Sequence, residues 1–182
     1  MLTPFYKVTL LAGWLLSLLP HRGQAQARGI WAKADIPLVY NRQYEVGNIL
    51  FDPSQDRPDF ALRPNGRIYQ YYNFDTTFPG GRVELRKHLL RALPTAAGSS
   101  DSGFLTVRFV VNYRGETDRF RVQALNSEYQ PQAMDPELVA RVLGACRALR
   151  GWLPGQIDGE TKDSYFYITF VVREGHIQDI TL

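Results

Sequence analysis

Phe104-Leu105-Thr106-Val107-Arg108-Phe109-Val110-Val111-Asn112-Tyr113 sets Leu105, Val107, Phe109 and Val111 against Thr106, Arg108 and Asn112. That alternation predicts a strand with one buried face. Arg114-Gly115 then turns the chain into Arg119 to Leu125, so the two runs read as a hairpin. Upstream, Thr95 to Gly103 is small and polar, a loop. Before it, Arg82 to Leu93 spaces Leu85, Leu89 and Leu93 by four, a helix with one apolar face that Pro94 stops. Downstream, Asp135 and Pro136 supply an N-cap and a first helical residue. Leu138, Val142, Cys146 and Leu149 then form one stripe, with Val139 and Leu143 beside it, and Gly151 is the natural stop. A last strand, nearly all apolar and aromatic, runs from Ser164 to Arg173, and Glu174-Gly175 turns into a short tail from His176 to Leu182.

From Arg82 the order is helix, strand, strand, helix, strand. An α+β fold, with a small antiparallel sheet packed by two helices on one face, buries both apolar stripes. Residues 28–77 are rich in Tyr, Phe, Pro and Asp without helical period, and read as a β-rich N-terminal extension to the domain at 78–182. Within it, Pro64-Asn65-Gly66 lies between Phe60-Ala61-Leu62 and Ile68 to Tyr72, and the Asn-Gly pair predicts a hairpin over Asp59 to Phe74.

Residues 1–27 have the layout of a secretory signal peptide: a weakly basic start to Lys7, an apolar run from Val8 to Leu19, and Ala25-Gln26-Ala27. The run is about a dozen residues, against roughly 20 needed to span a bilayer. Cleavage after Ala27 removes Lys7 and Arg22, and the formal charge falls from +3 to +1. Basic residues are scattered among acids rather than gathered in a stripe, which argues against nucleic acid as a partner. The 182-residue chain is 45% hydrophobic and 21% charged, the balance of a globular domain. Its one cysteine, Cys146, cannot form an intramolecular disulfide and reads as a core residue.

Catalytic chemistry is hard to assemble from these residues. His88 reads as a solvated helix residue, and His176 follows a turn with no nucleophile and orienting acid nearby. No His-x-x-x-His, Cys-x-x-Cys or Asp-rich calcium loop occurs, so no metal and no cofactor are expected. Asp52, Asp56 and Asp59, separated by prolines, read as turn residues. Gly80-Gly81 precedes a helix but lacks the Lys-Ser/Thr of a phosphate loop, and permits a tight turn into that helix. Trp152 reads as a core or hinge aromatic.

Three motifs, in this order, carry a resemblance: Phe78-Pro79-Gly80-Gly81, the strand pair with Phe109-Val110-Val111 and Gly115, and Trp152-Leu153-Pro154-Gly155. Together, over about Phe74 to Arg173, the chain resembles the TonB C-terminal domain family, with Leu93-Pro94 where the family normally has Tyr-Pro. The resemblance implies a periplasmic domain that grips a segment of an outer-membrane receptor as an added strand. The corresponding edge would be Ser164 to Val172, with side chains such as Tyr165, Tyr167, Thr169 and Val171 selecting the partner.

The expectation is therefore an exported, non-enzymatic protein-binding module of the periplasm or cell envelope. Its partners would be envelope proteins, outer-membrane receptors among them, and exposed edges would also permit a homodimer. Two other readings stay open. An uncleaved leader would make a minimal energy transducer, with Ser17 and His21 at the four-residue spacing of the family's membrane anchor, although no Pro-rich or charged linker lies between Leu19 and Phe74. A structural envelope or peptidoglycan-associated role would instead rest on the aromatic region 28–77.

Overall fold

The computed structural model describes residues 49–64, 66–70, 75–93 and 99–182. The leader, Ser17, His21, Asn65 and most of the loop after Leu93 lie outside those residues.

Gly80 and Gly81 both hold left-handed backbone, φ 79° and 73°, and swing the chain directly into α1 (Gly81–Ala92). A Cβ on Gly80 would lie 2.8 Å from Glu84 Cβ, so the tight turn needs a glycine there. Leu85 and Leu89 are buried as their spacing predicts. At Leu93 the backbone becomes extended, the conformation forced on a residue that precedes proline.

Strands β2 (Gly103–Val111) and β3 (Thr117–Leu125) form the expected hairpin. In α2 (Pro136–Ala148) the Leu138 N–H donates to the Asp135 carboxylate at 2.8 Å, and Pro136 opens the helix. Next comes a short hairpin of β4 (Gln156–Ile157) and β5 (Glu160–Thr161). Its turn, Asp158-Gly159, has positive φ at both residues, the geometry an Asp-Gly pair favours. β6 (Ser164–Arg173) keeps the bounds its apolar run predicts. The tail beyond Gly175 is a further strand, β7 (His176–Thr181).

Among the described residues the fold is α+β, with a five-stranded mixed sheet, the separate β4–β5 hairpin and two helices. β6 is central: β2 pairs antiparallel along Ser164–Val172, and on its other side β7 pairs antiparallel with Thr169 to Arg173. The parallel pairing comes from β1 (Tyr69–Gln70), set against Ser164 and Tyr165. The expected all-antiparallel sheet is thus corrected by a segment from the N-terminal extension.

That segment also explains why the expected hairpin over Asp59 to Phe74 does not form among the described residues. The turn closes, Gly66 N–H to Arg63 O at 2.9 Å, but its arms have separate partners. The Arg63 N–H donates to Asp163, Phe60 packs with Val110 and Tyr165, and Tyr69 joins β6. Tertiary burial outweighs the local signal. The described part of the extension is turns and extended chain around one two-residue strand, and the rest of the expected β-rich extension, 28–48, 65 and 71–74, lies outside the described residues.

The main core lies between the helices and one sheet face. Leu85, Leu89, Leu138, Val142 and Cys146 pack against Leu105, Val107, Phe109, Phe120, Ile168 and Phe170. Full burial of each of the larger side chains contributes roughly 1.5–3 kcal/mol.

Candidate functional site

Strand alternation divides the expected partner residues. Tyr165, Tyr167, Thr169 and Val171 lie on the sheet face away from the helices, opposite Val110, Arg108, Thr106 and Phe104 of β2. Ser164 has the other parity; it is fully buried, and its hydroxyl is 2.8 Å from the Thr76 hydroxyl. A free edge along Ser164 to Val172 is not what the chain builds. On the outer side of β6, β1 pairs with Ser164 and Tyr165 and β7 with Thr169 to Arg173, so the tail read as a short end supplies a capping strand.

The helix-free face is covered at one end and open at the other. Ile49 and Phe60 are buried against Val110 and Tyr165, with Leu62 and Ile68 beside them. Further along, Tyr167 is 39% exposed, and Tyr129, 70% exposed, stacks on Phe104 with centroids 5.0 Å apart and planes 7° from parallel. Between them the Thr106 and Thr169 hydroxyls share a hydrogen bond of 2.9 Å across the two strands. Burial pulls the Arg108 guanidinium below the usual arginine range, partly offset by Tyr165. Aromatic rings, hydroxyls and an arginine on one sheet face suit contact with a protein surface.

Buried polar groups staple the extension to the sheet. Asp163, 1% exposed, accepts the Arg63 N–H and the Tyr113 N–H, each at 2.8 Å. Asn112, fully buried, donates to Ala61 O and Glu116 and accepts the Arg114 and Glu116 N–H groups. Asp56 is not a mere turn residue. Its buried carboxylate takes two 2.7 Å hydrogen bonds from Arg121, so although burial raises its pKa, Arg121 outweighs that and holds it below the usual carboxylate range. Asp52 is a turn residue: bonds from the Ser54 hydroxyl, Gln55 and the Ser54 N–H lower it to about 2. Long-range pairings such as Asp56 to Arg121, 65 residues apart, leave no local signal in sequence.

The motif residues meet at one place. Phe78 and Trp152 contact edge to face at 5.5 Å, Thr77 bridges Leu153, and the Gly155 N–H donates to Thr76. Pro79 lies against Gly151, and Pro154 against Gly115. Trp152 is 3% exposed, in contact with Phe109 and Phe166, so this cluster is part of the core rather than a binding surface.

Cys146 is buried, and burial pushes its thiol up to about 12. His88 is half-exposed, 3.7 Å from Glu84, with its ring edge against Phe78. Among the described residues no group of three or more His, Cys, Asp or Glu is placed to hold a metal ion. No described helix is long and apolar enough to cross a membrane.

Fold and face together define an α+β domain whose sheet is buried under helices on one side and partly open on the other. Compared with known protein families, curated proteins and solved structures, the chain shows no match.

Proposed function

We propose that the mature chain is an exported, non-enzymatic protein-binding module of the cell envelope, engaging its partner with the helix-free face of the sheet around Tyr167. The observation that carries this reading is the open run of Tyr129 on Phe104, the Thr106–Thr169 pair and Tyr167 on that face. The signal-peptide layout of residues 1–27 supports export. The ordered motifs from Phe78 to Gly155, which resemble those of the TonB C-terminal domain family, support binding of envelope proteins such as outer-membrane receptors. In this reading a receptor segment lies across Tyr167 and Thr169, because β7 already pairs with the outer side of β6 from Thr169 to Arg173.

A photo-crosslinking residue at position 167, introduced into the full chain in its own host, tests this. Adducts with envelope proteins are expected at 167 and not at a control such as Glu137 on α2, the opposite side of the sheet. Equal adducts at both positions, or none at 167, would sink the reading.

A further inference from the structure

A second site lies at the covered end of the helix-free face, where β3, β6 and the extension meet. Pairing of β2 with β3 is irregular between Arg108 and Val110: Arg121 faces Arg108, Asp118 faces Val110, and both Arg119 and Phe120 fall opposite Phe109. This two-against-one arrangement is a β-bulge, a device that re-aims side chains. Arg119 within it has φ 56°, left-handed backbone that strains a non-glycine residue.

The re-aimed arginine lines an open cleft of about 870 Å³ together with Ile49, Phe51, Arg67, Tyr69 and Tyr165. Its Nε is buried and has no hydrogen-bond acceptor among the described residues, where Nη1 reaches only the Ile49 carbonyl, at 3.5 Å. Leaving a charged donor unmet in this way is unfavourable. Neither neighbouring acid hydrogen-bonds it: Asp118 accepts the Arg57 N–H and Asp56 takes its hydrogen bonds from Arg121. Among the described residues no carboxylate lines the cleft, whereas Arg67 adds a second guanidinium over the Tyr69 ring. Leu50 and Phe51, 59% and 49% exposed, present apolar surface at its rim.

The geometry points to a binding site for a carboxylate attached to an apolar or aromatic body. The carboxylate accepts from the terminal N–H groups of the Arg119 guanidinium, whose Nε is enclosed by the protein. The apolar body packs on Phe51 and Leu50, and Arg67 strengthens the preference for a negative charge. A free aromatic acid and the C-terminal carboxylate of a peptide ending in an apolar residue share this chemistry.

Calorimetric titration of the full chain with N-acetylphenylalanine, its carboxamide, and a tetrapeptide ending in a free phenylalanine carboxylate tests the site. The acid is expected to bind at least tenfold more tightly than the amide. Comparable affinity for acid and tetrapeptide assigns the site to small acids, and tighter tetrapeptide binding assigns it to peptide ends. Arg119→Gln is expected to lose at least tenfold in affinity, and Arg147→Gln, in a separate groove, to keep wild-type affinity. Arg119→Gly removes the guanidinium while accepting the left-handed backbone, so loss of binding in that folded variant separates recognition from unfolding. Equal binding of acid and amide, wild-type affinity in Arg119→Gln, or no binding of any probe at millimolar concentration overturns the assignment.

Discussion

Gly115 packs so closely on Trp152 that a Cβ placed on it would lie 2.3 Å from the Trp152 carbonyl oxygen. The contact joins the turn after β2 to the segment that follows α2, and Gly115 also needs φ 78°. Backbone conformation and space therefore both demand glycine. Gly115→Ala is expected to destabilise the chain by about 2 kcal/mol or more, since positive φ alone costs on the order of 1–3 kcal/mol. Urea unfolding followed by circular dichroism measures this, and an unchanged midpoint would show that the turn relaxes freely.

The Asp56–Arg121 pair gives a pH-dependent prediction. Asp56 is depressed in the folded chain, and Asp52 is depressed to about 2. A depressed carboxylate stabilises the fold above its unfolded pKa, near 3.8–3.9, and that stability is lost as pH falls through the folded value. Thermal midpoints are expected to fall between about pH 4 and pH 2, and less steeply in Asp52→Asn. Arg121→Met, which strands a buried carboxylate, is expected to cost about 3–5 kcal/mol at neutral pH. A flat profile from pH 4 to 2 in the wild-type chain would contradict the assignment.

Cys146 packs in the core beneath α2 with its thiol near 12, so almost no thiolate exists at pH 8 and none is accessible. A disulfide reagent such as DTNB is expected to leave the folded chain unmodified and to react promptly in 6 M guanidinium. Stoichiometric reaction of the native chain within minutes would place the thiol at the surface.

Much of this fold was legible from local pattern. Leu85 and Leu89, the Asp135-Pro136 cap, the alternation from Leu105 to Val111 and the apolar run from Ser164 each carry their own signal. The Asp158-Gly159 turn carried one as well, but between strands too short to read as strands. What sequence could not give is pairing at a distance. The arms around Asn65 read as partners of each other because the signal is local, yet Phe60 and Tyr69 are held by a sheet about 100 residues away. Tyr165, Tyr167, Thr169 and Val171 do share a face, as alternation requires, but whether β6 has a free edge depends on the tail. Arg119 was invisible as a site residue because its direction comes from a bulge.

The tail yields the last prediction. β7 pairs Thr181 with Thr169, Ile180 with Phe170 and Asp179 with Val171, and Ile180 is 5% exposed in the core. On its outer side the Asp179 carboxylate accepts its neighbour's N–H and the Arg86 guanidinium, at 2.8 and 2.6 Å, so the new edge is partly blocked by charge. Charged and hydrogen-bonded edges resist pairing with other chains, whereas a bare apolar strand invites it. A chain ending at Gly175 uncovers the Thr169–Arg173 edge of β6 and is expected to associate more strongly than the full chain, read as mass against concentration by light scattering. Because truncation also removes Ile180 from the core, Asp179→Ala supplies a milder companion. It keeps the strand and unblocks only the outer edge, and is expected to leave the fold intact while raising association by a smaller amount. Equal masses for the full chain and a folded truncated chain at every concentration would mean that β7 is packing material rather than a cap.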